Sequence, residues 1–123
     1  MKILIADDST FMRTILKDII EKSNWKGGQI IEASNGAEAI SLYQSERPDL
    51  VLLDVVMPEH TGIEVLQAIG SAPQSVVMVS SVDEQQVVDQ AKQLGAKQYI
   101  SKPFDATKVI ETLNSLAPAP SQE

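Results

Sequence analysis

Five short segments, Lys2–Ala6, Gln29–Ala33, Leu50–Leu53, Val76–Val79 and Gln98–Ser101, are apolar and rich in leucine or β-branched residues, and each is followed by a stretch with helical spacing. That alternation leaves few folds open. Leu50, Val51, Leu52 and Leu53 are apolar without a polar partner between them, the pattern of a strand covered on both faces, whereas an antiparallel strand open to water alternates. Parallel strands need long crossovers, and helices in those crossovers place cover on both faces of the sheet. The expected fold class is α/β, a (βα)5 unit built on a five-stranded parallel sheet.

The first helical stretch presents Phe11, Ile15, Ile19 and Ile20 on one face and turns Arg13, Lys17 and Glu21 outward, with Ser9 placed to cap its start. The others span about residues 36–46, 62–69, 83–94 and 105–116. Asn35-Gly36, Gly62, Asp83 and Asp105 stand near helix starts, and Gly95 just past an end. Trp25 and Gly27-Gly28 read as the turn into the second strand, and His60 as exposed loop. Met12, Met57 and Met78 read as core fillers or turn residues. The segment 118–123, with prolines and no core formers, reads as a flexible C-terminal tail after a domain spanning 1–117.

Composition narrows the chemistry. The chain of 123 residues has no cysteine and one histidine, so a thiolate or histidine-based metal site is not expected and any metal would be oxygen-bound. Only 4% of residues are aromatic, so the core should be aliphatic. The formal charge of −7 disfavours nucleic acid as a partner, and no apolar run is long enough to span a bilayer. A cytoplasmic location without a membrane association is expected.

In an open α/β sheet, ligands bind beyond the carboxyl ends of the strands. There the sequence puts Asp7-Asp8, Asp54, Ser80-Ser81 and Lys102. Taken singly, each has an ordinary role: Asp7-Asp8 as helix-start acids, Ser80 as a strand end, Lys102 as a solvated lysine. Asp54 is harder to explain so, because it closes a buried strand. Carboxylates gathered here repel one another by about 4 kcal/mol per close pair at an effective dielectric near 20, which a hard divalent cation relieves. A carboxylate can also attack phosphorus to give an acyl phosphate, while a lysine and a hydroxyl bind the transferred oxygens.

Asp7-Asp8-Ser9, Asp54-Val55-Val56-Met57-Pro58, Thr61-Gly62, Ser80-Ser81 and Gly95-Ala96 through Lys102-Pro103-Phe104 together resemble the receiver domain of two-component response regulators. The resemblance spans essentially residues 1–117 and lies nearest to free-standing chemotaxis-type regulators. It implies a flavodoxin-like fold with strand order 2-1-3-4-5, and Mg²⁺, with Mn²⁺ as a substitute. Asp54 would be the phosphoacceptor. Asp8, Asp54 and the Val56 backbone carbonyl would hold the metal, with Asp7 acting through water. Lys102 would pair with the phosphoryl group, Ser80 would move to bind it, and Tyr99 would be the switch aromatic. A cis peptide is implied at Lys102-Pro103.

The partners so implied are a histidine kinase as donor and an effector protein read through the fourth helix, fifth strand and fifth helix, a flagellar motor switch being one candidate. A phosphatase is a further one. No DNA-binding or catalytic module follows the fifth helix, so output is expected by protein contact. The chain would be no enzyme in the ordinary sense, but a phosphoacceptor that assists its own phosphorylation and dephosphorylation. A single-domain phosphorelay regulator is the alternative. An aspartyl-phosphate phosphatase fits poorly, since such enzymes place a second acid two residues after the nucleophile and Val56 stands there. Apolar Val56 and Val82, where polar groups could orient an attacking water, imply slow loss of phosphate from Asp54.

Overall fold

The computed structural model describes residues 1–69 and 75–117. The expected tail at 118–123 lies outside them. Ten elements alternate without exception: β1 (Lys2–Ala6), α1 (Thr10–Glu21), β2 (Gln29–Ala33), α2 (Gly36–Glu46), β3 (Leu50–Leu53), α3 (Gly62–Ile69), β4 (Ser75–Ser80), α4 (Gln85–Gln93), β5 (Gln98–Ser101) and α5 (Ala106–Leu116). All four pairings are parallel, and the strand order is β2-β1-β3-β4-β5. The expected (βα)5 flavodoxin-like sheet is what forms.

Alternating side chains divide the core into two layers. Leu4, Val51, Leu53, Val76 and Met78 face α2, α3 and α4, whose Ala39, Tyr43, Val65, Leu66 and Ala91 cover them. Ile3, Ile5, Leu50, Leu52, Val77 and Val79 face α1 and α5, under Leu16, Ile19, Ile20, Val109 and Leu113. The central strand β3 is buried at all four positions, as its unbroken apolar run requires.

One expectation needs correction and one needs extending. Phe11 is 75% exposed, and the buried stripe of α1 is Leu16, Ile19 and Ile20, flanked by Met12 and Ile15. At about 100° per residue Phe11 stands roughly 140° around the helix from Leu16, off the covered face, while Met12 in the same turn packs on the core. Trp25 lies in the turn as read, but its indole is fully buried in the α1–α5 layer and donates from Nε1 to the Leu113 carbonyl at 2.8 Å. Leu113 is in the last turn of α5, where carbonyls lack helical partners, so the indole satisfies one of them.

Boundaries differ little elsewhere. β4 extends one residue further at each end than its apolar run, and α4 begins at Gln85 after Glu84. Asp105 caps α5 by accepting from the Thr107 amide, and Ser9 and Asn35 cap α1 and α2 in the same way. Gly95, with φ +117°, follows α4 in the left-handed region that favours glycine.

Candidate functional site

The register of the sheet sets the site. Ala6 stands beside Leu53, Leu53 beside Met78 and Met78 beside Tyr99, so Asp7 and Asp54 leave the carboxyl edge at one level while β4 and β5 run two residues further, to Ser80 and Ser101, before Lys102. The ladder continues briefly past the strands: the Asp7 amide donates to Ala33 O at 3.1 Å, Asp54 to Ala6 O at 3.0 Å, and Lys102 to Ser80 O at 2.9 Å. Asp7, Asp54 and Lys102 are thereby anchored to the backbone of three strands, β2, β1 and β4.

Their side chains meet. Lys102 Nζ donates to Asp7 Oδ2 at 2.8 Å and to Asp54 Oδ2 at 3.0 Å. The second oxygen of each acid is held locally: Asp7 Oδ1 accepts from the Ser9 amide at 2.9 Å, and Asp54 Oδ1 from the Val56 amide at 3.2 Å. Asp7 is 2% exposed and Asp54 6%, whereas Asp8 is open to solvent. Each of these three acids offers an oxygen, and the three oxygens lie within 4.8 Å of one another.

Burial works to lower the Lys102 pKa, but the hydrogen bonds and charges of Asp7 and Asp54 outweigh it and hold the ammonium above its usual range. One lysine against three carboxylates leaves a formal excess of two negative charges at the mouth. An oxygen-only cluster with both buried and open members fits a hard divalent cation that keeps part of its water.

Ser80 and Tyr99 stand one layer away. Ser80 is fully buried, and its Oγ accepts from the Val82 amide at 3.2 Å. The Tyr99 hydroxyl donates to the Val82 carbonyl, so the backbone of one residue, Val82, is held at its amide by Ser80 and at its carbonyl by the phenol. Burial pushes the Tyr99 phenol up, opposed by the Ser80 hydroxyl and assisted by the charges of Asp54 and Asp83. Val56 reaches the cluster through its backbone, while its side chain is exposed. His60 lies in exposed loop, as expected. The Lys102-Pro103 bond is cis.

Two supporting residues escaped the sequence reading. Arg13, read as facing outward, turns back: its guanidinium donates to Asp7 O at 2.6 Å and pairs with Glu32 at 2.8 Å. Its place one turn into the helix after the acidic pair was the available signal. Gly62 was read as a helix start and as part of a motif, not as a support of the loop. Its amide donates to Val55 O at 2.8 Å, and a Cβ there would stand 2.9 Å from the Asp54 carbonyl carbon.

This is the arrangement that the resemblance to receiver domains implied, and the sequence comparison agrees. Residues 3–114 match the response regulator receiver domain family, and the chain belongs to it. It is 43% identical over 115 residues to the chemotaxis protein CheY of Bacillus subtilis (strain 168), covering 92% of this chain and 94% of that protein. It is 34% identical over 122 residues to sporulation initiation phosphotransferase F of the same organism, covering 98% and 96%. Among solved structures, the CheX-CheY-BeF3-Mg²⁺ complex from Borrelia burgdorferi superposes with a TM-score of 0.84 at 34% identity, over 93% of this chain and 87% of that one.

Proposed function

We propose that this receiver domain takes a phosphoryl group from a histidine kinase on Asp54, with Mg²⁺, and passes the signal on by protein contact in chemotaxis or motility. The observation that carries the reading is Lys102 Nζ, shared between Asp7 and Asp54 beside solvent-facing Asp8. Asp8, Asp54 and the Val56 carbonyl would hold the cation, with Asp7 acting through water, and Mn²⁺ could replace it. The ion supplies charge neutralisation between the carboxylates and the incoming phosphate oxygens.

In the transfer an Asp54 carboxylate oxygen forms a bond to phosphorus while the bond from phosphorus to the donor atom breaks, and the donor leaves with that electron pair. Lys102 is close enough to exchange a carboxylate partner for a phosphoryl oxygen. Ser80 would release the Val82 amide to bind another, which loosens the Val82 backbone whose carbonyl Tyr99 holds. Tyr99 would then turn inward and change the surface of α4, β5 and α5. A cleft of about 300 Å³ on that surface, lined by Tyr99, Ile100, Pro103, Phe104 and Lys108, suits an effector such as a flagellar motor switch protein.

The Borrelia CheY crystallised with CheX supports a phosphatase as a further partner. Similarity to sporulation initiation phosphotransferase F supports a second reading, a phosphorelay intermediate. The domain, about residues 1–117, would act in the cytoplasm as a switch that assists its own phosphorylation and dephosphorylation.

Incubation with acetyl phosphate and Mg²⁺, followed by intact-mass measurement, is the test. The wild type should gain one phosphoryl group and Asp54→Asn none; an unmodified wild type, or an equally modified variant, overturns the reading. With Val56 and Val82 apolar, the adduct should decay slowly once the donor is removed.

A further inference from the structure

The loop that carries Asp54 and Val56 runs from the end of β3 to Gly62, and it is gripped from outside by a residue far away in sequence. The amide of Gly36, the first residue of α2, donates to Pro58 O at 3.0 Å. Pro58 O also accepts from the His60 amide at 2.9 Å, so the Gly36 bond lands on the turn of the loop. Glu59 at the tip has φ +75°, a left-handed conformation that a residue with a side chain adopts only when its surroundings impose it.

Gly36 itself has no unusual backbone angle. What demands glycine there is space: a Cβ would overlap the His60 carbonyl oxygen and lie 2.6 Å from the His60 Cβ and 2.7 Å from its carbonyl carbon. Most of those atoms are backbone, so no rotamer change relieves the overlap and the loop as a whole would have to move. Its far end has the same construction, with Gly62 pressed against the backbone of Asp54 and Val55. Side-chain-free residues at the starts of α2 and α3 therefore hold the two ends of one loop, and α2 and α3 pack directly on each other.

We propose that Gly36 is a positioning residue of the phosphorylation site: from the first turn of α2 it sets the β3–α3 loop, and with it the Asp54 carboxylate and Val56 carbonyl, where they accept the cation. The inference rests on the reading of Asp54 given above. Displacement of the loop moves two ligand groups at once while leaving Asp7, Asp8 and Lys102 on their own strands.

The test compares Gly36→Ala with Ala39→Gly, which weakens the interior of the same helix without adding an atom against the loop. Calorimetric titration with Mg²⁺ should show about tenfold weaker binding for Gly36→Ala, the size of loss common when a group that orients metal ligands is disturbed. Acetyl phosphate labelling should slow in step and recover as Mg²⁺ is raised. Ala39→Gly should lower Tm with Mg²⁺ affinity unchanged.

A second measurement needs no variant. In a ¹⁵N-labelled wild type, the Gly36 amide resonance should shift with Mg²⁺ along the same curve as those of Asp54 and Val56. Equal Mg²⁺ affinity in Gly36→Ala and wild type, an equal loss in Ala39→Gly, or a Gly36 resonance that ignores Mg²⁺ while Asp54 responds, overturns the proposal alone. A wild type that neither binds Mg²⁺ nor takes phosphate overturns the site reading beneath it.

Discussion

Glu32 occupies the centre of a charge group that reaches the site from the sheet edge. Its carboxylate takes the Arg13 guanidinium at 2.8 Å and the Lys17 ammonium at 3.0 Å, and Arg13 in turn holds the Asp7 carbonyl. The Arg13 hydrogen bond, then that of Lys17, holds the Glu32 carboxyl below its ordinary 4.5, against a small opposing effect of burial. A lowered pKa means that the stabilisation is complete above 4.5 and disappears as pH falls through the lowered value. Glu32→Gln should therefore melt below the wild type at neutral pH, and the two curves should converge as pH falls below 4.5 through the lowered value. A Tm difference that persists unchanged in acid would count against the ion pairs as its source. The gap should be small, because the pairs are partly exposed. At this scale Asp54, Asp7, Asp8 and Lys102 were legible in the sequence, since few residue types suit the end of a buried strand and four such ends agreed. Arg13 was not, because a basic residue on a helix reads as solvated until the neighbouring strand supplies its partner.

Among elements, α1 and α5 depend on a contact that neither contains. Trp25, in the turn after α1, fills the layer between them and donates to the end of α5, while the Asn24 amide donates to Asn114 Oδ1 at 2.7 Å. Trp25→Phe keeps much of the apolar bulk but leaves the Leu113 carbonyl without its donor, a cost of about 1–3 kcal/mol. For a domain of this size that corresponds to a Tm lower by roughly 5–10 °C. Thermal denaturation checks it, and an unchanged Tm would show that water replaces the indole at no cost. Helix and strand positions were readable from periodicity and caps. The Phe11 error arose there too: a 3.6-residue period identifies a stripe, but the packed partner decides which edge of that stripe is covered, and Met12 rather than Phe11 meets the core. In its first turn, Phe11 has solvent.

For the whole molecule, the decisive property is that three acids and one lysine from the ends of three strands, β1, β3 and β5, share a small volume only when folded. A cation that binds this arrangement and not the unfolded chain raises stability by mass action, by about 2.7 kcal/mol at a hundred times its Kd. Tm should rise by roughly 10 °C on such addition of Mg²⁺, a shift that Asp54→Asn reduces at equal concentration. Calorimetric scans with and without chelator measure it, and a Tm indifferent to Mg²⁺ would argue against a cation at this cluster. Among the described residues no helix is long and apolar enough to cross a membrane. The order of the elements, the parallel sheet, the apolar faces and the edge at which chemistry collects all followed from the chain alone, because they depend on local periodicity and on rules of connection that hold for any such alternation. Only the tertiary structure decided that Lys102 bridges Asp7 and Asp54, that Tyr99 holds the Val82 carbonyl, and that Gly36 presses on the loop of Asp54. Those contacts join residues from about 17 to 95 positions apart, at distances set by strand register and packing, and no local pattern in a sequence encodes them.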